Sequence, residues 1–272
     1  MGETLRSGQA FRWVRHGGAW EGVACGRWAR LVPETDGIRA ATATAAGPPA
    51  WLEHYLQTNV QIDRVTATFP NDPHLNAAVA ACRGLRLLRQ DPWECLASFI
   101  LSSTKQIVQI QQIVRLVCER FGERIPAPTD AFAFPAAARL ASLAEADLRC
   151  CKMGFRAPYL RQTAQMVAGG EIDLDSLQAM PVAQARAELM RCPGVGRKIA
   201  DCVLLFAYGF QEAFPIDVWI LKALRQLYFP RRRPAPKRLL RFTETYFGPN
   251  AGYAQQYLFH YMRTRPNESV AS

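Results

Sequence analysis

Lys198, Cys202 and Asp217 are the residues of this 272-residue chain whose types and spacing could do chemistry. Lys198 stands in the first turn of an apolar helix predicted from "RKIADCVLLFAYG", directly after a Pro-Gly-Val-Gly turn. The positive end of the helix dipole, partial burial and the neighbouring Arg197 each disfavour an ammonium group at this position. Lys198 is therefore either a long side chain that reaches solvent or an amine that loses its proton easily and acts as a nucleophile.

The other two side chains could share a site with this amine. Cys202 follows Lys198 by four residues on the same helical face, where its sulfur can approach the amine. Asp217 stands nineteen residues after Lys198, at the predicted start of another helix. The pattern alone favours an ordinary helix N-cap for Asp217, and it leaves a surface lysine as an equally good interpretation of Lys198.

The turn before Lys198 joins two predicted helices into a helix–hairpin–helix unit over residues 182–209. Its glycines allow a tight backbone turn that leaves N–H groups and a helix N-terminus facing an anion. Such a unit grips DNA phosphates without reading sequence, although an ordinary turn between helices explains the pattern equally well. The predicted DNA contacts are Gly194, Val195, Gly196 and Arg197.

The composition limits the class of protein and its partners. The formal net charge is +10, which favours a polyanionic partner such as nucleic acid, with a solvated basic surface as the alternative. The eight cysteines show no C-x-x-C spacing and all precede residue 203, so the later chain offers no four-cysteine iron–sulfur loop. No apolar run is long enough to cross a membrane and no signal-peptide core is visible, which predicts a soluble intracellular protein.

The elements that must position these residues fall into two regions. Residues 8–45 contain short aromatic and β-branched runs between turn signals, which predict a small β-sheet. From "GPPAW" onward helical patterns dominate, with predicted helices from Asp91, over 107–121, 137–149 and 156–168, on both sides of the hairpin, from Asp217, and over 251–263. The predicted class is α+β, mainly α, with a β-rich subdomain over 1–85 and a helical domain over 86–272.

Four stretches in order resemble one known family. "PGVGRKIADC…FPIDV" is similar to the helix–hairpin–helix base-excision DNA glycosylases, and within them to the 8-oxoguanine DNA glycosylase branch. "SGQAFRW" at 7–13, "LLRQDPWECLASFILSS" at 87–103 and "GPNAGYAQQYLF" at 248–259 extend the resemblance over almost the whole chain.

The resemblance implies a reaction at Lys198 and Asp217. Lys198 matches the lysine that attacks C1′ of the damaged nucleotide, expels the base and forms a Schiff base, after which β-elimination nicks the strand. Asp217 matches the aspartate that offsets the positive charge developing on the sugar. Because a buried lysine cannot reach C1′ inside a duplex, the nucleotide must be flipped out.

The resemblance also implies how the flipped base is recognised. Gly8 matches the residue whose carbonyl accepts the N7 hydrogen that 8-oxoguanine has and guanine lacks. Phe259 matches the aromatic that stacks on the base, Cys202 would cover the other face, and Gln255 matches the amide that bonds the Watson–Crick edge. In relatives the hairpin holds a cation, and the matching carbonyls here are those of Met190, Cys192 and Val195.

This chain departs from the familiar family pattern at several positions. Thr104 and Gln109 replace an Asn and an Arg that read the base opposite the lesion, and Phe155 replaces a Tyr, while Arg156 is retained. These changes predict a weaker preference for cytosine, since Gln has fewer and uncharged donors. Trp219 replaces a family His, which changes a phosphate contact, and Met262 replaces a family Asp that lies near the base.

The sequence therefore predicts a bifunctional glycosylase and lyase that acts as a monomer on double-stranded DNA containing oxidised guanine. No cofactor is expected to be required, apart from a structural monovalent or divalent cation at the hairpin. The expected location is the cytoplasm near a bacterial nucleoid, or the nucleus in a eukaryote. The alternatives are a monofunctional glycosylase for another damaged purine, such as an alkylated one, and a DNA-binding module without catalysis.

Overall fold

A four-stranded antiparallel sheet precedes a larger helical body, which confirms the predicted α+β, mainly α class. The computed structural model describes residues 1–43, 49–231 and 233–265. The strands are β1 (Trp13–His16), β2 (Ala19–Ala24), β3 (Arg27–Glu34) and β4 (Gly37–Thr42). The α-helices are α1 (Gly2–Arg6), α2 (Ala50–Leu56), α3 (Ile62–Thr66), α4 (Pro73–Ala81), α5 (Pro92–Leu101), α6 (Ile107–Phe121), α7 (Ala137–Ala141), α8 (Glu145–Arg149), α9 (Arg156–Ala168), α10 (Val182–Leu189), α11 (Arg197–Val203), α12 (Val218–Ala223), α13 (Pro236–Tyr246) and α14 (Ala251–Thr264).

The sheet is a simple meander in the order β1-β2-β3-β4, in which every neighbouring pair is antiparallel. Alternate residues such as Trp13, Trp20 and Leu31 are buried against α2. The indole N–H of Trp13 donates to the Tyr55 hydroxyl at 2.9 Å and fixes this packing. The predicted β-rich region is confirmed up to Thr42, while residues 44–45 lie outside the described chain, as does Arg232 in the basic run at 230–238.

The predicted first strand from Gln9 onward starts later, at Trp13, because Gln9 has another role. Gln9 is buried, and its side-chain carbonyl accepts the Leu88 N–H at 2.7 Å while its amide donates to the Arg86 carbonyl at 2.8 Å. These bonds tie the segment around Gly8 to the chain entering α5. The predicted division between residues 85 and 86 stays a prediction.

Most of the predicted helices are present with the expected ends. The helices α5, α6 and α9 follow the predicted apolar patterns, and α6 ends at Gly122. The single helix predicted over 137–149 is wrong, since α7 and α8 are separate. Ser142 closes α7 by donating to the Arg139 carbonyl at 2.8 Å, and Asp147 caps the start of α8 by accepting the Ala144 N–H at 3.2 Å.

The helices α11 and α12 each continue into a wider π-helical turn. After α11 the chain continues in a π-helical turn over Leu204–Tyr208, and after α12 in another over Leu224–Tyr228. Such turns are rare and occur frequently at functional sites. The predicted extents of both helices are confirmed, although the pattern gave no signal for the change of helix type.

A large apolar core unites the helical body and reaches into the N-terminal region. Phe11 packs edge to face on Phe99 of α5, with ring centroids 5.5 Å apart. Leu75 and Leu85 from the N-terminal helical region belong to the same core, and α4 packs against α14. None of the helices among residues 1–43, 49–231 and 233–265 is long and apolar enough to cross a membrane.

Candidate active site

The helix–hairpin–helix unit is built from α10, α11 and the turn between them, which the sequence predicts. Gly194 has a φ of +78°, and a Cβ atom there would lie 2.7 Å from Cδ2 of Tyr159 in α9. Only glycine fits this close contact without strain. The turn is closed by the Val195 N–H, which donates to the Cys192 carbonyl at 3.1 Å.

Ion pairs lock the two helices of the hairpin together. Arg186 on α10 donates to Asp201 on α11 at 2.6 Å, and Asp201 is buried. Burial raises the pKa of Asp201, and the Arg186 guanidinium opposes that shift. Arg197 lies 3.6 Å from Asp201 and 2.9 Å from Glu244 on α13, so it is shared between the hairpin and a neighbouring helix.

Lys198 turns inward from α11 toward the end of α5 instead of extending into water. Its half-buried amine lies 3.4 Å from the Ser102 hydroxyl and 5.5 Å from the centre of the Phe99 ring. The aromatic face and the hydroxyl, both from α5, hold the amine within the helical body. This geometry favours an amine held inside the site over a side chain that reaches solvent.

Asp217 caps α12, and its carboxylate accepts the Ile220 N–H at 2.8 Å. Burial raises the pKa of Asp217, while the capping bond and the positive charge of Lys198 act in the opposite direction. Asp217 is therefore both the predicted N-cap and the counter-charge of the amine. The N-cap interpretation and the counter-charge interpretation of Asp217 are therefore compatible.

Cys202 completes the cluster as an inert neighbour. It is buried one turn after Lys198, and burial raises the pKa of its thiol to about 12. The charge of Lys198 lowers this pKa and the charges of Asp201 and Asp217 raise it, so the three predicted side chains are electrostatically coupled. Because a thiol with this pKa stays protonated at neutral pH, Lys198 is the only one of the two that can be a nucleophile.

Gly8 and Phe259 lie side by side near the N-terminus of the chain, at a candidate base-recognition site here called the slot. Gly8 has a φ of +77°, and a Cβ atom there would lie 2.7 Å from Cδ1 of Ile107 and 3.4 Å from Cε1 of Phe259. No hydrogen bond within the described chain uses the Gly8 carbonyl. A free acceptor thus lies beside a partly exposed aromatic ring.

Gln255 places a second acceptor near Asp217. Its side chain is buried, and its amide donates to the Pro215 carbonyl at 3.1 Å. Its side-chain oxygen is buried with no partner among the described residues. A buried acceptor without a partner is costly, so a ligand with a donor gains from meeting it. Met262 is buried on the same helix.

The residues predicted to read the opposite base lie around the start of α9. Arg156 is buried, and it donates to the Thr104 hydroxyl and to the carbonyls of Ser103 and Met153. Thr104 is exposed with a φ of +56°, an unusual conformation for a β-branched residue. The guanidinium of Arg156 therefore holds this loop in place.

Phe155 and Gln109 are the remaining residues predicted to read the opposite base. Phe155 is 54% exposed, and its ring lies over the Arg156 guanidinium at 4.2 Å. Gln109 is exposed, and its side-chain oxygen accepts the Gln106 N–H at 3.1 Å, which caps α6. Gln109 thus has only its neutral NH₂ group left for a ligand.

Trp219 and the hairpin carbonyls are the predicted contacts to the DNA backbone and to a cation. Trp219 is half-buried in the first turn of α12, with the Lys222 amine 5.5 Å from its ring centre. No hydrogen bond within residues 1–43, 49–231 and 233–265 uses the carbonyls of Met190 and Val195. These oxygens, with the second lone pair of the Cys192 carbonyl, have the chemistry that suits a hard cation.

Three contributors to the site are not evident from the sequence pattern. Ser102 and Phe99 contact the Lys198 amine from α5, and Arg263 lies over the Phe259 ring. Only the position of Ser102 at the end of a predicted helix offered a weak signal. The contacts of the other two depend on tertiary packing.

Comparison with known proteins identifies this architecture. The family model of HhH-GPD superfamily base excision DNA repair proteins matches residues 97–249, and that of the 8-oxoguanine DNA glycosylase N-terminal domain matches residues 1–96. The fold and the hairpin lysine thus define a member of this repair superfamily. The chain belongs to its 8-oxoguanine DNA glycosylase branch.

Individual relatives support this assignment. A probable N-glycosylase/DNA lyase of Methanothermobacter thermautotrophicus is 33% identical over 72% of this chain and 69% of its own length. An N-glycosylase/DNA lyase of Arabidopsis thaliana is 30% identical over 94% of this chain and 75% of its own length. The 8-oxoguanine glycosylase/lyase of Clostridium acetobutylicum, solved with DNA containing cytosine opposite 8-oxoguanine, is 30% identical with a TM-score of 0.90, covering 96% and 90% of the two chains.

The raised pKa of Asp217 predicts that this carboxylate lowers the stability of the fold. A folded state that binds the proton more tightly than the unfolded state loses stability as pH rises through the raised pKa. The variant Asp217→Asn keeps a good N-cap but removes the buried charge. We expect its thermal unfolding midpoint to exceed that of the wild type at pH 7, with the difference shrinking toward pH about 4.

The matched control is Asp91→Asn, which changes an exposed N-cap that accepts the Glu94 N–H at 2.8 Å. Because the Asp91 carboxylate stays in water, its replacement should give no comparable gain at pH 7. A variant Asp217→Asn that is less stable than the wild type at pH 7 would contradict the account.

Proposed function

We propose that the protein is a base-excision-repair enzyme that removes 8-oxoguanine from double-stranded DNA and then cleaves the strand at the abasic site. The observation that carries this proposal is the Lys198 amine, which is turned inward beside Asp217 and Cys202 within a helix–hairpin–helix unit. Membership of the 8-oxoguanine glycosylase branch, whose relatives are named as N-glycosylase/DNA lyases, agrees with it.

Lys198 would carry the covalent chemistry. Its neutral amine forms a bond to C1′ as the bond from C1′ to N9 of the base breaks, and the base leaves with the electron pair and takes up a proton. The attached nitrogen gives one proton to the departing base, and its lone pair then forms the second bond to C1′ as the bond from C1′ to O4′ breaks. O4′ keeps that electron pair and takes up a proton from water, which leaves a protonated imine between Lys198 and C1′. Loss of a C2′ proton breaks the C3′–O bond and nicks the strand.

Asp217 would act through its charge. The sugar becomes positive as the base leaves, and a carboxylate in a water-poor site stabilises that charge more strongly than it would in water. The same carboxylate has a pKa raised by burial, so protonation at low pH removes this stabilisation. The glycosylase step should therefore slow as pH falls through the raised pKa of Asp217.

The slot beside α14 would recognise the flipped base. The free Gly8 carbonyl fits a donor at N7, which 8-oxoguanine has and guanine lacks. The partnerless oxygen of Gln255 fits the N–H groups of the Watson–Crick edge of a guanine derivative. Phe259 and Cys202 offer the apolar surfaces between which a planar base can stack.

The hairpin would hold the DNA backbone. The carbonyls of Met190, Cys192 and Val195 would bind a cation, which would add positive charge facing a phosphate. The amides at the start of α11 and Trp219 would contact the same strand. These contacts are independent of sequence, which suits an enzyme that must find a lesion anywhere in the genome.

The proposed reaction predicts a specific loss with Lys198→Gln. On a duplex with one 8-oxoguanine opposite cytosine, the wild type should release the base and cleave the strand. Lys198→Gln should lose both reactions by at least about a thousandfold, because the glutamine amide cannot form the bond to C1′ that the lysine amine forms. The measurement is single-turnover strand cleavage by gel, with base release followed by mass spectrometry.

The matched control is Lys237→Gln, which removes an exposed lysine on α13 and should leave both reactions unchanged. Base release by Lys198→Gln without cleavage would favour a monofunctional glycosylase. DNA binding by the wild type with no release of any base would favour a module without catalysis.

The surface around Phe155 predicts weak discrimination of the opposite base. Arg156 is engaged by the protein, and Gln109 offers one neutral donor group, so a bidentate contact worth about 1–3 kcal/mol is missing. We expect excision rates opposite cytosine, adenine, guanine and thymine to lie within about fivefold of one another. Gln109→Arg should restore a preference for cytosine.

The control for the added charge is Gln165→Arg, which places the same group on the exposed surface near the far end of α9. It should not change the ratio of rates between opposite bases. A large cytosine advantage in the wild type would contradict this prediction and leave the proposed reaction intact.

A further inference from the structure

Arg263 contacts both Phe259 and the N-terminal segment that carries Gly8. Its guanidinium lies over the Phe259 ring, with 5.6 Å from Cζ to the ring centre, and the two residues are one helical turn apart on α14. One of its terminal nitrogens donates to the carbonyl of Arg6, two residues before Gly8. Arg263 therefore links the Phe259 ring, which would stack on the base, to the segment that carries the free Gly8 carbonyl.

A second side chain of α14 grips the same segment. The Gln256 amide donates to the Ser7 carbonyl at 2.9 Å, and Gln256 is buried. Arg6 and Ser7 are thus both held through their backbone, so the position of Gly8 depends on α14. A Cβ atom at Gly8 would already touch Phe259 at 3.4 Å, which shows how close the two residues are.

A buried histidine fixes the direction of the guanidinium. Arg263 donates to Nδ1 of His260 at 3.1 Å, and Nε2 of His260 lies 2.7 Å from a Glu3 oxygen. Burial lowers the pKa of His260, which favours the neutral ring. A neutral ring that accepts at Nδ1 must carry its hydrogen at Nε2, where it donates to Glu3.

This assignment also decides the role of a nearby cluster. Glu3, Cys82 and His260 present one ligand atom each within 4.8 Å of one another, a spacing that a metal ion could use. The Nε2 hydrogen and its bond to Glu3 occupy the ligand position of His260. Glu3 and His260 of this cluster therefore orient Arg263.

We propose that Arg263 is a positioning residue that holds Phe259 against the segment that carries Gly8 and so sets the geometry of the slot for the flipped base. An arginine suits this role because its planar group can lie on an aromatic face and donate in two directions at once. Its buried Nε has no partner in the part of the chain that the structure describes. The positive charge of the guanidinium is therefore stabilised by the Phe259 ring, the Arg6 carbonyl and Nδ1 of His260.

The positioning role of Arg263 affects base excision and strand cleavage at an abasic site differently. This inference rests on the proposed function, in which base excision needs the slot but cleavage of a preformed abasic site needs only Lys198. Small errors in placing a reacting group can cost about a hundredfold in rate. Loss of Arg263 should therefore slow excision selectively.

The test compares Arg263→Gln, Arg263→Lys and the wild type on two duplexes, one with 8-oxoguanine and one with a preformed abasic site. We expect Arg263→Gln to slow single-turnover excision at least about tenfold and to cleave the abasic site within about twofold of the wild type. Arg263→Lys keeps the positive charge but lacks the planar guanidinium, so its excision rate should lie between those of the wild type and Arg263→Gln.

The matched control is Arg265→Gln, since Arg265 lies 5.7 Å from the Tyr261 ring centre and bonds Gln226 instead of the slot. It should leave both rates unchanged. Equal loss of both reactions in Arg263→Gln would overturn the inference, as would no loss or faster excision. A wild type that cleaves abasic sites but releases no 8-oxoguanine would instead contradict the proposed function.

Discussion

The attraction between the Lys198 amine and the Asp217 carboxylate is the interaction on which the site depends. Burial opposes the charge of Asp217 and raises its pKa, while the Ile220 N–H at 2.8 Å and the positive charge of Lys198 act in the opposite direction. The amine itself lies against Ser102 and Phe99. The arrangement holds the Lys198 amine and a buried counter-charge in one site.

The rest of the hairpin can be understood as the frame for this pair. The buried Asp201 joins α10 to α11, and Gly194 lets the turn approach Tyr159 closely. The end of α5 supplies Ser102 and Phe99 from the opposite side. Since the amine is positioned from several elements, its direction is fixed by the packing of the whole helical body.

The residues proposed to recognise the base are organised around a single helix. Gln255, Gln256, Phe259 and Arg263 all project from α14, and they meet the N-terminal segment at Arg6, Ser7 and Gly8. The two ends of the chain therefore build one slot. A family match at both ends of the sequence, at "SGQAFRW" and "GPNAGYAQQYLF", has its physical reason in this contact.

The sequence predicted the class, the sheet, the hairpin and the placement of Lys198 and Asp217, because these depend on local periodicity, turns and caps. It failed where local signals compete, as in the helix predicted over 137–149, which Ser142 and Asp147 divide. The engagement of Arg156 with the loop at 103–104 and of Arg263 with Arg6 could not be predicted, because such contacts join segments that are distant in sequence.

The central claim is that the Lys198 amine becomes covalently bound to the sugar of a damaged nucleotide. The most direct test is reduction with borohydride during reaction with a duplex containing one 8-oxoguanine, followed by peptide mapping of the trapped complex. The account predicts a cross-link at Lys198 and at no other lysine. A trapped complex that maps to another amine, or base release with no trapped complex, would contradict it.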